Sequence, residues 1–227
     1  MYFAVDIDGT IAGANIPLLL SLCNKKLKLG IDEGRLQGIG YEDFLALPEL
    51  MTHRAMVGER RFAWNLRLLA LDPEHQVDMV PLDHAAAAVT RLAQQGTLAY
   101  YTARVTSLEA LNVQIARATT RWLAKHGFPA PSDVVICNSP KDKLSRLSLL
   151  IQETGESVML IDDHYEQLLS DVSLLDERDS AALDSSLILC AFGAREVPAH
   201  PLLRVVALSD WSQVDLALHA AIEGVLS

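Results

Sequence analysis

The sequence predicts an α/β fold, a mainly parallel sheet flanked by helices, and three observations carry that expectation. Short apolar runs of strand length alternate with longer helical patterns along most of the chain. Three of these runs stop at polar residues, at Asp6, Thr102 and Asp162 with Asp163. In a parallel sheet, ligands bind beyond the carboxyl ends of the strands, so these ends define one candidate site.

Met1 to Val5 is a short apolar run with aromatic and branched members that breaks off at Asp-Ile-Asp-Gly, and is read as strand one. A helical pattern from Pro81 to Gln95 stops at Gly96 and leads into strand two, Leu98 to Tyr101. Thr106 and Glu109 have capping-box spacing ahead of Leu108, Leu111, Ile115, Ala118 and Trp122, which share a helical face until His126 and Gly127. Trp122 is read as core. Val134 to Cys137 is strand three, Lys143 to Thr154 a helix closed by Gly155, and Val158 to Ile161 strand four. Leu187 to Phe192 and Val205 to Leu208 are two further strands, and Trp211 to Leu226 is a closing helix.

Residues 14–79 break the alternation. They are rich in helical pattern, poor in strands, and punctuated by Gly30, Gly34, Gly38, Gly40 and Pro48. The expected organisation is a core of residues 1–13 and 80–227 with a helical cap, 14–79, inserted between strands one and two.

Composition narrows the function. With 227 residues, half of them apolar and 21% charged, the chain has material for a sizeable core and no mark of disorder. No apolar stretch is long enough to span a bilayer. The N-terminus carries neither a basic lead nor an extended apolar segment, and Cys23, Cys137 and Cys190 lack metal-ligand spacing. The expectation is a cytoplasmic protein with reduced, buried thiols. Net charge is −10, from 29 acidic and 19 basic residues, which disfavours long nucleic acid as a partner. A phosphorylated ligand would need local attraction from a cation and a few basic groups.

Asp6-Ile7-Asp8-Gly9-Thr10 puts two carboxylates two residues apart at a strand end. Asp6 is suited to attack phosphorus, and Asp8 to protonate the leaving oxygen and later deprotonate water. The competing reading is a turn whose aspartates satisfy backbone donors. Thr102-Ala103-Arg104 offers a hydroxyl and amides to a phosphoryl group. Lys141 or Lys143 could neutralise charge between Asp6 and phosphate. Asp162 and Asp163 repel each other unless a cation is near, and with Asp6 offer Mg²⁺ the oxygen ligands it prefers.

These four pieces, in this order and strand context, resemble the motifs of the haloacid dehalogenase superfamily over residues 1–13 and 81–167. The resemblance implies a Rossmann-like core and an Mg²⁺-dependent phosphomonoester hydrolase working through an aspartyl-phosphate. It makes Asp6 nucleophile and metal ligand, and Asp8 general acid and base with its carbonyl on the metal. Thr102 binds phosphate, Lys143 is the motif lysine with Lys141 as alternative, and Asp162 and Asp163 complete the metal site. True dehalogenases lack an acid where Asp8 stands, because a halide leaves without a proton.

Thr120 to Pro129 is similar to 5'-nucleotidase members of the superfamily, and in part to polynucleotide phosphatases. The expected substrate is a small phosphorylated metabolite, a nucleoside monophosphate first and a sugar phosphate next. A phosphomutase and a non-catalytic binding module are the other readings, and a homo-oligomer is left open. In the cap, Arg54, Arg60, Arg61 and Arg67 are read mainly as a solvated face, and Tyr41, Phe44, Phe62 and Trp64 mainly as packing. Arg104 is the basic residue favoured for substrate contact, and His164 is expected either to support the metal's ligands or to be exposed, rather than to be a ligand itself.

Overall fold

A computed structural model describes residues 1–223. Six strands form one parallel sheet: β1 (Tyr2–Val5), β2 (Thr97–Thr102), β3 (Val134–Ile136), β4 (Val158–Asp162), β5 (Leu187–Phe192) and β6 (Arg204–Leu208). Their order is β3-β2-β1-β4-β5-β6. Val5 pairs with Tyr100 on one side and Ile161 on the other. The order therefore reverses between β1 and β4, and Asp6, Thr102 and Asp162 emerge at neighbouring carboxyl ends. The α/β fold expected from the alternating pattern is the observed one.

Burial explains why these runs are strands. Every residue of β4 and β5 is buried, as a parallel sheet covered on both faces requires. The helix Pro140–Thr154 starts with Ser139 accepting a hydrogen bond from the Asp142 N–H and ends at Gly155 in the left-handed conformation. Leu144, Leu147 and Ile151 lie on its buried face and join a core with Ala99, Tyr101 and Leu160. Each such side chain removed from water contributes about 2 kcal/mol, and together they fix the face that also carries Lys143.

The chain divides into two compact units. The first, with the sheet, comprises residues 1–13, 81–105 and 123–227, the part beyond 223 lying outside the described residues. The second comprises residues 14–80 and 106–122. Residues 106–122, assigned to the core by sequence, thus group with the helical segment. The Trp122 indole N–H donates to the Met79 carbonyl at 2.9 Å, a long-range bond with no local sequence signal.

The second unit is built on helices Ile16–Leu27, Pro48–Val57 and Glu59–Ala70, with shorter turns between them. Leu20, Cys23, Phe44, Leu50 and Phe62 form its core. Asn24 ties the Ile31 main chain with two hydrogen bonds, of 2.7 and 3.0 Å. Arg54 pairs with Glu59 at 2.5 Å and lies 5.8 Å from the Phe62 ring centre, while Trp64 is exposed. Arg60, Arg61, Trp64 and Arg67 line an open depression of about 710 Å³ within this unit.

Local boundaries differ from expectation in several places, and the helix expected from Lys143 already starts at Pro140. The helix after Pro81 begins at Ala85, because the Leu82 N–H is drawn to the Ile11 carbonyl and His84 is left-handed. Thr106 exchanges hydrogen bonds with Asn112 rather than forming the expected box with Glu109. Trp211–Gln213 is a 3₁₀ turn and the closing helix starts at Val214, its expected end at Leu226 lying outside the described residues. No helix among the described residues is long and apolar enough to cross a membrane.

Candidate active site

The first residue beyond β1 is Asp6, held in place by its N–H donating to the Ile161 carbonyl at 2.9 Å. The chain then turns back sharply: Ile11 and Ala12 N–H groups both donate to the Ile7 carbonyl. Gly9 takes φ +78°, and a Cβ built on it would stand 2.1 Å from Asp163 Oδ2. The turn therefore needs glycine twice over, for its backbone and for the carboxylate packed against it.

Lys143 reaches this point from the first turns of Pro140–Thr154. Its ammonium donates to Asp6 Oδ1 at 2.7 Å and to Asp162 Oδ2 at 2.5 Å. All three residues are buried, whereas Lys141 is exposed. Between the two candidate lysines, the structure brings Lys143 to Asp6.

Asp8 points elsewhere. Its carboxylate accepts from Arg104 Nε at 2.7 Å and Nη2 at 2.8 Å, a two-point ion pair. Thr102, fully buried, adds a long hydrogen bond from its hydroxyl to Asp8 Oδ2 at 3.4 Å. Arg104 is thus directed to Asp8 in the structure.

Beyond β4, Asp162 accepts from the His164 N–H at 2.8 Å. Asp163 accepts from the Thr10 hydroxyl at 3.1 Å while its own N–H donates back to that oxygen at 3.1 Å. The Trp211 indole N–H holds the same threonine by its carbonyl at 2.6 Å. His164 is largely exposed, with Nδ1 3.1 Å from Asp163 Oδ1. Asp162, Asp163 and His164 bring one ligand atom each within 4.8 Å of one another. Thr10 and Trp211 were not anticipated as parts of the site.

Electrostatics favour a cation here. Burial pushes the Asp6 carboxyl well above the ordinary range, opposed by Lys143 and reinforced by the nearby Asp162 and Asp8. Burial likewise raises Asp163, with His164 opposing and Asp162 adding to it. The oxygens packed against Gly9 are those of the Asp163 carboxylate, the hard ligand type that Mg²⁺ takes. The three cysteines are free and buried, and burial pushes Cys137, which feels the charges of Lys143 and Asp6, up to about 11, which makes it a poor nucleophile.

Solved structures share this architecture. A haloacid dehalogenase-like hydrolase from Burkholderia xenovorans superposes with a TM-score of 0.50 at 16% identity, over 97% of this chain and 96% of that one. A haloacid dehalogenase-like family hydrolase from Xanthomonas campestris gives 0.52 at 15% identity, over 99% and 97%. The fold is haloacid dehalogenase-like. A 2-haloacid dehalogenase from Pseudomonas syringae pv. tomato aligns with a TM-score of 0.51 at 11% identity, over 97% of this chain and 98% of that one. No family model matches the chain, and no curated protein sequence matches it. At these identities the haloacid dehalogenase-like neighbours establish the fold, and the chemistry must be argued from this chain's own residues.

Proposed function

We propose that this protein is an Mg²⁺-dependent phosphomonoester hydrolase in which Asp6 is the nucleophile. The observation that carries the reading is the convergence of Asp6, Asp162 and Lys143 through one buried ammonium, at 2.7 and 2.5 Å. A structural turn has no need of a buried lysine shared by two carboxylates, one of which, Asp6, burial holds well above the ordinary range.

Asp6, Asp163 and the Asp8 carbonyl would hold Mg²⁺, with Asp162 reaching it through water. Bound there, the ion supplies positive charge that offsets the charge of the phosphoryl oxygens. An Asp6 carboxylate oxygen attacks phosphorus, the bond from phosphorus to the leaving oxygen breaks, and that oxygen takes a proton from Asp8. Water then attacks the aspartyl-phosphate, gives a proton to Asp8, and releases phosphate with Asp6 restored. Lys143 orients Asp6 and screens it from Asp162. The Thr102 hydroxyl and the amides of Ala103 and Arg104, at the end of β2, are the donors for the transferring group.

Asp8 favours phosphate over halide, because an acid two residues after the nucleophile is useful only to a leaving group that needs a proton. The substrate class is a small phosphorylated metabolite, with a nucleoside monophosphate the first to test and a sugar phosphate the second. The nucleotidase-like segment 120–129 gives limited guidance, since Trp122 is fully buried and bonded to Met79. The deciding assay is phosphate release from a metabolite panel with Mg²⁺ or EDTA. Release that requires both the metal and Asp6 supports the proposal, and failure on the whole panel counts against it.

A further inference from the structure

Arg104 is the buried cation that the proposed chemistry does not yet use. The residue is 1% exposed, whereas the Asp8 side chain that it meets is 43% exposed. Water could satisfy a carboxylate that open, so the carboxylate does not need Arg104 for solvation. What a guanidinium adds is geometry. Nε on Oδ2 and Nη2 on Oδ1 set both the place and the rotation of the planar carboxylate, which a single ammonium cannot do. A side chain so enclosed, with Nε and Nη2 turned to Asp8, is also poorly disposed to grip a substrate.

We infer that the Arg104 guanidinium is a positioning group that orients Asp8, and that this side chain does not itself hold the substrate. The inference rests on the hydrolase reading, in which Asp8 is the proton donor. Its consequence is selective. An aryl oxide leaves with little help from an acid, whereas an alkoxide requires the proton, so Arg104 determines whether poor leaving groups are cleaved. An arginine that held phosphate would act on both substrates alike, through KM.

The test compares p-nitrophenyl phosphate with glycerol 2-phosphate, in Mg²⁺, for the wild type, Arg104→Ala, Asp8→Asn and the double variant. Arg104→Ala is expected to lower kcat on glycerol 2-phosphate about a hundredfold, at least tenfold more than on p-nitrophenyl phosphate, with KM little changed. If Arg104 works through Asp8, the double variant falls no further than Asp8→Asn alone. Arg104→Lys should be intermediate, and it carries the same comparison if the alanine variant fails to fold. A uniform rise in KM for both substrates, or losses that add in full in the double variant, would overturn the inference. Should the wild type release phosphate from neither compound nor from the metabolite panel, the hydrolase reading itself fails. If the wild type is active and Asp6→Asn is dead while the losses add, only the role of Arg104 is lost.

Discussion

The ammonium of Lys143 lies 2.7 Å from Asp6 Oδ1 and is shared with Asp162, so that one buried ammonium joins two buried carboxyl groups. Removing the lysine leaves two carboxylates facing each other away from water. Breaking a buried ion pair by deleting one partner costs about 3 to 5 kcal/mol. Lys143→Met is therefore expected to lower unfolding stability by roughly that amount in EDTA, and added Mg²⁺ should recover part of it. Urea unfolding with and without the metal measures both effects, and an unchanged midpoint would contradict the assignment.

The raised Asp6 carboxyl sets the sign of a pH effect. Burial lifts it in the folded state above its unfolded value, so ionising it costs the folded chain as pH rises through and beyond the ordinary carboxylate range. Asp6→Asn cannot ionise. In EDTA at pH 7 the variant should melt above the wild type, and the gap should close as pH falls below about 4, where the unfolded carboxyl also becomes protonated. Saturating Mg²⁺ should stabilise the wild type more than the variant. A variant less stable than the wild type in EDTA at pH 7 would refute this account of Asp6.

Gly9 tests the packing of the motif turn against Asp163. Alanine there meets a left-handed backbone at a cost of about 1 to 2 kcal/mol, and its methyl collides with Asp163 Oδ2. Gly9→Ala should raise the Mg²⁺ concentration for half-maximal thermal stabilisation at least about tenfold, as displaced metal ligands do. An unaltered metal titration would separate Asp163 from the ion.

Much of this arrangement was legible in the sequence because parallel strands are short, apolar and self-contained. Val158 to Ile161 followed by Asp162 and Asp163 announces both a strand and a site. The family resemblance of Lys-Asp-Lys points to Lys143 over Lys141, and its position on the buried face of Pro140–Thr154 is what brings it to Asp6. What remained hidden lies in contacts between distant parts of the chain. Thr10 meets Asp163 across 153 residues, and Trp211 meets Thr10 across 201, with no periodicity or turn chemistry to mark either. Arg104 was read as a substrate contact because a basic residue beside a phosphate motif invites it, whereas only coordinates reveal its two-point bond to Asp8. The two helices Tyr165–Val172 and Glu177–Ser186, between β4 and β5, were also not anticipated. In Glu177–Ser186 the buried residue is Leu183 and the apolar rhythm is weak, whereas Tyr165, Leu168, Leu169 and Val172 keep helical spacing over a run of only 8 residues.

The most direct measurement is phosphate release by wild type and Asp6→Asn on the same metabolite panel, with circular dichroism to establish that both are folded. The account predicts Mg²⁺-dependent release by the wild type, abolished by EDTA, and none by a folded Asp6→Asn. Near-normal turnover in that variant would contradict it.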